Sequence, residues 1–286
     1  MQLDVKTQSG LVEAGTLLYM SRKNSVRKNS SIFIFRPIPD DVAMQIWERA
    51  GTYEHQDWTV PEDKELLASI VGNDVANDFY EITDSKVQNV ALRKIMQAPL
   101  RSTDVKKKNA AIKWVVYDWG NIPPQEDEDE DRLYEMCSEF TDYADEEINE
   151  FAKKHKGDRI ASWSKVIAFA DSESFAIFDA RVAMSLNYIL DEMDFPRKFI
   201  MPQAISPPFN KVFSHIRGQV NAHFERKKLS YMGYMEYKAL LLTLVRLKVA
   251  PSVLGAEMCL FANGEIYANR YAAKHGLEIP YPKVSY

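Results

Sequence analysis

The sequence predicts a mainly helical protein, with a helical domain in its second half and an N-terminal region that mixes helix and strand. Three observations support this fold class. Apolar residues recur at helical intervals after residue 133, a short strand-like stretch lies near the N-terminus, and an acidic segment that follows two prolines separates the two parts. The expected regions are 1–124, an acidic loop at 125–132, and a helical domain at 133–286.

The N-terminal region is expected to contain a strand followed by helices. The stretch SIFIF at 31–35 is typical of a short strand that ends before two prolines. The stretch VAMQIWERAG then predicts a helix that is capped near Asp40 and ends at Gly51. A further helical region is expected from Pro61, with two acidic residues in its first turn. The pattern is irregular near the lysines at 106–108, before the apolar run AAIKWVVYDWG.

The second half predicts a series of helices. The stretch from residue 133 to Gly157 is expected to form one long helix or two, with lysines near its C-terminal end. A helix at about 160–170, the turn DSES, an extended FAIF segment and a helix that begins after Asp179 should follow. The remaining helices are expected at 210–224, 235–247, 252–262 and 265–275.

Composition argues against several classes of protein. Of the 286 residues, 46% are apolar, which suffices for a core without covalent cross-links. Cys137 and Cys259 lie far apart with no second cysteine or close histidine, which argues against a disulfide framework and a zinc site. The N-terminus lacks the pattern of a signal peptide, and the longest apolar run, around 239–245, is far too short to cross a bilayer. We therefore expect a cytoplasmic protein with no membrane partner.

Charge is segregated along the chain. The net charge of −5 is dominated by the run EDEDED at 126–131. Between Arg197 and Lys248, ten basic residues stand against two acidic ones, and a second basic stretch with no acidic residue spans 22–36. Such segregation favours a polyanionic partner. It is equally compatible with basic and acidic segments that neutralise each other on the folded surface.

The familiar cofactor and hydrolase motifs are absent from the sequence. It contains neither G-x-G-x-x-G nor G-x-x-x-x-G-K-[ST], which argues against the common nucleotide-binding loops. No H-E-x-x-H pair is present, and no G-x-S-x-G nucleophile elbow. His215 and His223 lie eight residues apart on one expected helix, too distant to share a metal ion. We therefore expect no metal or nucleotide cofactor.

Two charges in the apolar stretch 159–187, RIASWSKVIAFADSESFAIFDARVAMSLN, are the best candidates for chemistry. Lys165 lies in an expected helix whose other residues are largely apolar, so its amine either reaches outward to solvent or points into a cavity. Asp179 precedes a strongly apolar helix, where an aspartate is among the preferred N-cap residues. These local rules account for each charge separately.

The same stretch resembles the catalytic region of helix-hairpin-helix DNA glycosylases, in particular the divergent branch similar to 8-oxoguanine DNA glycosylase. The resemblance lies in SKVIAF, which contains Lys165, and in FAIFDARV, which contains the extended FAIF segment and Asp179, with the turn DSES between them. It covers about 30 residues well. Two features differ from the family: a single Gly157 stands where a G-x-G hairpin is usual, and the separation of 14 residues between lysine and aspartate is shorter.

The resemblance implies a reaction and two site residues. Loss of a base from its sugar develops positive charge at the anomeric carbon, which the carboxylate of Asp179 would stabilise. Lys165, partly desolvated, would attack that carbon and form a Schiff base, which leads to a strand-nicking (AP lyase) step. If a water molecule attacks instead, Asp179 alone is indispensable and Lys165 is a positioning charge. No metal or nucleotide cofactor is implied.

The resemblance also implies a DNA partner whose target nucleotide is flipped out of the duplex. Trp163 and Phe169 could line the base pocket, although both also suit the core, and Phe209 or Tyr231 could fill the gap left by the flipped base. Contacts with the DNA backbone are expected from the basic region, which lies between Arg197 and Lys248. Its candidate residues are Lys211, Arg217, Arg226, Lys227 and Lys228.

Several alternatives remain open on the sequence alone. The excised base is either an oxidised purine, in repair, or a bulky modified cytosine such as glucosylated hydroxymethylcytosine, in defence against bacteriophage. A non-catalytic protein whose basic face binds nucleic acid or an acidic partner is the rival from another class. A third alternative is a helical toxin or antitoxin-like regulator in which EDEDED occupies the basic face until DNA displaces it.

Overall fold

The structure, a computed structural model, describes residues 37–51, 62–122, 134–135, 137, 159–199, 202, 207–224 and 230–279. The expected strand at 31–35 and the acidic loop at 125–132 lie outside these residues. The expected helix or helices between residue 133 and Gly157 lie outside them as well, apart from three positions.

The regular secondary structure before the acidic segment is entirely helical among the described residues. Helices α1 to α5 are followed directly by a π-helical stretch. Their bounds are α1 Asp40–Ala50, α2 Lys64–Val71, α3 Asn73–Tyr80, α4 Ser85–Leu100, α5 Val105–Lys113 and the π-helix Trp114–Trp119.

The part after the acidic segment contains five further helices and two short strands among its described residues. The strands pair in parallel, with Arg197 opposite Ser230. The bounds are α6 Ile160–Ala170, α7 Ala180–Glu192, β1 Arg197–Phe199, α8 Pro207–Phe224, β2 Ser230–Met232, α9 Tyr234–Arg246 and α10 Val253–Lys274. The expected mainly helical fold class is confirmed. The strands expected in the first 120 residues do not occur among the described residues there.

Aspartates begin several of the helices. Asp63, Asp84, Asp104 and Asp179 each accept a hydrogen bond from a backbone N–H in the first turn of the helix that follows. Such caps satisfy donors that the helix itself leaves unpaired. The cap at Asp104 begins α5, so the lysines at 106–108 are helical although the sequence pattern there is irregular.

Glycines set two of the other boundaries. The helical region expected from Pro61 divides into α2 and α3 at Gly72, whose φ of 99° is favourable only for glycine. Gly51, with φ 76°, follows the last residue of α1, as expected. Asp40, expected as the cap of α1, is instead its first residue, because Pro39 occupies the cap position.

The core is shared by helices from both sides of the acidic segment. Helix α4 packs against α6, α7 packs along α10, and α1 contacts α7, α9 and α10. Buried side chains from both parts, such as Leu92, Trp114, Leu186 and Leu260, belong to one hydrophobic cluster. Among the described residues no helix is both long enough and apolar enough to cross a membrane.

Helix α10 runs without interruption where two helices were expected at 252–262 and 265–275. Gly264, which stands between the two expected helices, lies inside it. A Cβ at this position would come within 2.8 Å of the Cα and carbonyl oxygen of Arg181, at the start of α7. Gly264 therefore permits two helices to approach closely, and the expectation of a break there is wrong.

Gly264→Ala is expected to lower the free energy of unfolding by about 1–3 kcal/mol, because its Cβ collides with backbone that cannot rotate away. A matched control is Gly218→Ala in α8, where a Cβ meets no atom within 4 Å. There alanine should stabilise the helix by up to about 1 kcal/mol. Urea denaturation of both variants measures the difference. Equal effects at the two positions would contradict the close approach of α7 and α10.

Candidate active site

Lys165 and Asp179 meet in the folded chain. Lys165 lies in the middle of α6 and is only 6% exposed. Its Nζ lies 3.8 Å from Oδ2 of Asp179 and donates a hydrogen bond to the carbonyl oxygen of Ala161 at 3.1 Å. The lysine therefore does not extend into solvent, and its amine faces the carboxylate.

Asp179 is held by the helix that it caps. Its Oδ1 accepts hydrogen bonds from the backbone N–H groups of Arg181 at 3.0 Å and Val182 at 3.1 Å, which confirms the expected N-cap. The cap uses Oδ1, and Oδ2 is directed toward Lys165. The N-terminus of a helix interacts favourably with negative charge, so this position suits a carboxylate.

The extended segment before Asp179 is fixed by side chains. Ile177 donates its N–H to Oε2 of Glu257 at 2.6 Å, and its carbonyl accepts from the hydroxyl of Tyr237 at 3.0 Å. The hydroxyl of Tyr234 donates to the carbonyl of Ala176 at 2.8 Å. Ser164 Oγ, on α6, accepts from the N–H of Phe178 at 3.0 Å. Since buried backbone groups need such partners, these side chains fix the path of the segment that positions Asp179.

A glycine makes room for the lysine. Gly120 follows the π-helical stretch, and a Cβ there would lie 3.0 Å from Cδ of Lys165. The same Cβ would lie 2.6 Å from the carbonyl oxygen of Val116. A larger residue at this position would therefore displace both the backbone and the lysine side chain.

Burial lowers the pKa of Lys165. Loss of solvent lowers the pKa of its amine, while the charges of Asp179 and Glu257 oppose that shift and those of Arg93 and Arg181 add to it. The net direction is downward from the usual value of 10.5. A larger fraction of the amine is therefore neutral at a given pH than in an exposed lysine, and the neutral amine is the nucleophilic form.

A second, fully buried ion pair lies beside this site and was missed in the sequence. Arg93 on α4 and Glu257 on α10 lie 2.7 Å apart, from Nη2 to Oε1, and each side chain is 3% exposed. Burial raises the pKa of Glu257, and the nearby Arg93 and the N–H of Ile177 oppose that shift. Glu257 lies among apolar residues in a helix, which was an available signal, whereas Arg93 is followed by Lys94 and carried no such signal.

The two aromatic candidates are in the core. Trp163 and Phe169 are fully buried. Trp163 packs edge-on against Tyr234 with ring centroids 4.9 Å apart, and Phe169 packs against Trp119 at 4.6 Å. In this conformation neither ring offers accessible surface to a base. Phe209 is also buried, and the side chain of Tyr231 lies outside the described structure.

The basic region is less exposed than its sequence indicates. Lys211 and Arg217 are exposed on α8, but Lys238 is buried with its amine 4.2 Å from the ring centroid of Phe175. Lys198 is buried and lies 3.6 Å from Oδ1 of Asp191. Three further candidates, Arg226, Lys227 and Lys228, lie outside the described residues. Part of the basic charge is therefore internal.

A polar cluster also links the C-terminal ends of α7 and α10 to α8. Asp191 accepts a hydrogen bond from Lys274 and lies 3.0 Å from Nε2 of His275, while Nδ1 of His215 lies 3.2 Å from the hydroxyl of Tyr271. Burial by itself would raise the pKa of Asp191, but His275, Lys274 and Lys198 hold it below its ordinary value. Among the described residues no group of three or more histidine, cysteine or acidic side chains could hold a metal ion.

Comparison with protein-family models, curated proteins and solved structures finds no match for this chain.

Proposed function

We propose that this chain is a DNA glycosylase that excises a modified or damaged base, with Asp179 and Lys165 at its reaction centre. The observation that carries the proposal is the pair itself: a buried amine 3.8 Å from a carboxylate that is fixed by its own helix cap. The glycosylase-like pattern around both residues in the sequence adds support.

Both groups act if the lysine is the nucleophile. As the bond between the base and C1′ lengthens, positive charge develops at C1′, and the carboxylate of Asp179 stabilises it. The neutral amine of Lys165 forms a bond to C1′ while the electron pair of the broken bond leaves with the base, which takes up a proton. The proton lost by the lysine nitrogen passes to Asp179 or to solvent. Opening of the sugar ring then gives a Schiff base at Lys165.

The burial of Lys165 limits what can reach it. An amine that is so little exposed cannot reach C1′ of a nucleotide within a stacked duplex, so the nucleotide must leave the stack and enter the site. Lys211 and Arg217 on α8 are exposed members of the basic region and are available to contact phosphates.

Purified protein should release a free base from duplex DNA, detected by mass spectrometry. Two substrate sets distinguish the alternatives: DNA with oxidised purines, and DNA with hydroxymethylcytosine or its glucosylated form. Release from the first set supports repair, and release from the second supports defence against bacteriophage. Binding of both sets without release of any base would contradict the enzyme and favour a non-catalytic nucleic-acid-binding protein.

A further inference from the structure

The buried ion pair of Arg93 and Glu257 joins the two segments that carry Lys165 and Asp179. Glu257 uses Oε1 for Arg93 and Oε2 for the N–H of Ile177, two residues before Asp179. Arg93 lies over the ring of Phe169, with its guanidinium carbon 4.5 Å from the ring centroid. Glu257 thus contacts the segment that carries Asp179, and Arg93 contacts the helix that carries Lys165.

The contact of Arg93 with α6 lies on the face that bears the lysine. Phe169 is four residues after Lys165 in α6, and residues four apart lie on the same face of a helix. Phe169 also packs against Trp119, the residue before Gly120, which lies against Lys165. A shift of Arg93 would therefore displace the turn of α6 that carries the amine of Lys165.

Stability alone does not account for this ion pair. Transfer of two charges from water to the interior costs as much as their attraction returns, so apolar residues of similar volume often serve equally well. The cost is higher here because Nε and Nη1 of Arg93 have no hydrogen-bond partner within the described part of the chain. The contacts of the pair with both segments of the site account for it better than stability does.

We propose that Arg93 and Glu257 are positioning residues that fix the separation between the amine of Lys165 and the carboxylate of Asp179 and balance the charge around them. The importance of this pair for catalysis rests on the proposed function. Its effect on the lysine does not, because that effect is a property of the protein without DNA.

The positioning effect can be measured as the coupling between Asp179 and Lys165. An NMR titration of lysine Nζ gives the protonation midpoint of Lys165, assigned by the loss of its signal in Lys165→Arg. In the otherwise unchanged protein, Asp179→Asn should lower this midpoint, because it removes the nearest negative charge. Repeating the substitution in an Arg93→Met, Glu257→Gln background should give at most half of that shift, because the two segments are no longer joined.

This double background is chosen because it leaves no buried charge unpaired, so that the fold should be kept. An equal shift in both backgrounds would overturn the proposal. Asp40→Asn is the matched control: it removes one charge from the Arg246–Asp40 pair, whose side chains are each 54% exposed, and should leave the midpoint of Lys165 unchanged. A shift in this control equal to that of Asp179→Asn would also overturn the proposal.

The single variants give an independent measurement of the charge balance. The charged groups that act on Lys165 are Asp179, Glu257, Arg93 and Arg181. Glu257→Gln should lower the midpoint of Lys165 and Arg93→Gln should raise it, each by about 1 pH unit. Shifts of the same sign, or none, would mean that the pair serves only the fold. All of these measurements are made without DNA, so failure to detect base release would count against the proposed function and leave this result standing.

Discussion

We expect Asp179→Asn to reduce the rate of base release about a hundredfold to a thousandfold and to leave DNA affinity unchanged. Asparagine is nearly as good an N-cap as aspartate, so its side-chain oxygen can still accept from the N–H groups of Arg181 and Val182. The substitution therefore removes the charge and keeps the cap. Any loss of base release then reports the electrostatic role of the carboxylate at the developing positive charge.

The structure offers a matched control for this substitution. Asp84 caps α4 in the same way, through hydrogen bonds from the N–H groups of Lys86 and Val87. Asp84→Asn should leave base release unchanged, and it controls for the change of cap residue. Single-turnover rates and DNA dissociation constants separate chemistry from binding. An Asp179→Asn protein as active as the Asp84→Asn protein would contradict the proposed role of Asp179.

Local rules succeeded where the relevant interactions are local. Helix α6 has the expected bounds, and Asp179 is the cap that its position before an apolar helix predicted. Both follow from residues within one or two turns of each other. Neighbouring residues could not reveal why α10 contains a glycine at 264, because the reason is the backbone of Arg181, more than eighty residues earlier.

The same distinction between local and distant interactions explains which residues of the candidate site could be predicted. Lys165 and Asp179 were found in the sequence because they are close together in it. Arg93 and Glu257 were missed because they are 164 residues apart and each has meaning only beside the other. The basic region shows the reverse error, since a count of charges cannot distinguish exposed Lys211 from buried Lys238. Charge patterning along a chain is therefore weaker support for a DNA interface than the charges that remain exposed after folding.

Reduction with borohydride is expected to trap a covalent adduct between Lys165 and DNA that carries a target base, and Lys165→Gln should abolish it. The reduction converts a Schiff base into a stable amine, so an adduct forms only if the lysine nitrogen has bonded to C1′. Peptide mass spectrometry then identifies the modified lysine. The matched control is Lys211→Gln, which removes an exposed lysine of α8 and should leave the yield of adduct unchanged when DNA is saturating.

The pH dependence of adduct formation and a second variant distinguish attack by Lys165 from attack by water. Because the pKa of Lys165 is lowered from 10.5, adduct formation should rise with pH and level off below that value, as the amine loses its proton. Lys165→Arg keeps a positive charge but cannot form a Schiff base at neutral pH, so it should eliminate the adduct. If it nevertheless releases the base at the original rate, water is the nucleophile and Lys165 only positions charge. If neither base release nor adduct responds to Lys165→Gln, the assignment of this lysine to the reaction centre is wrong.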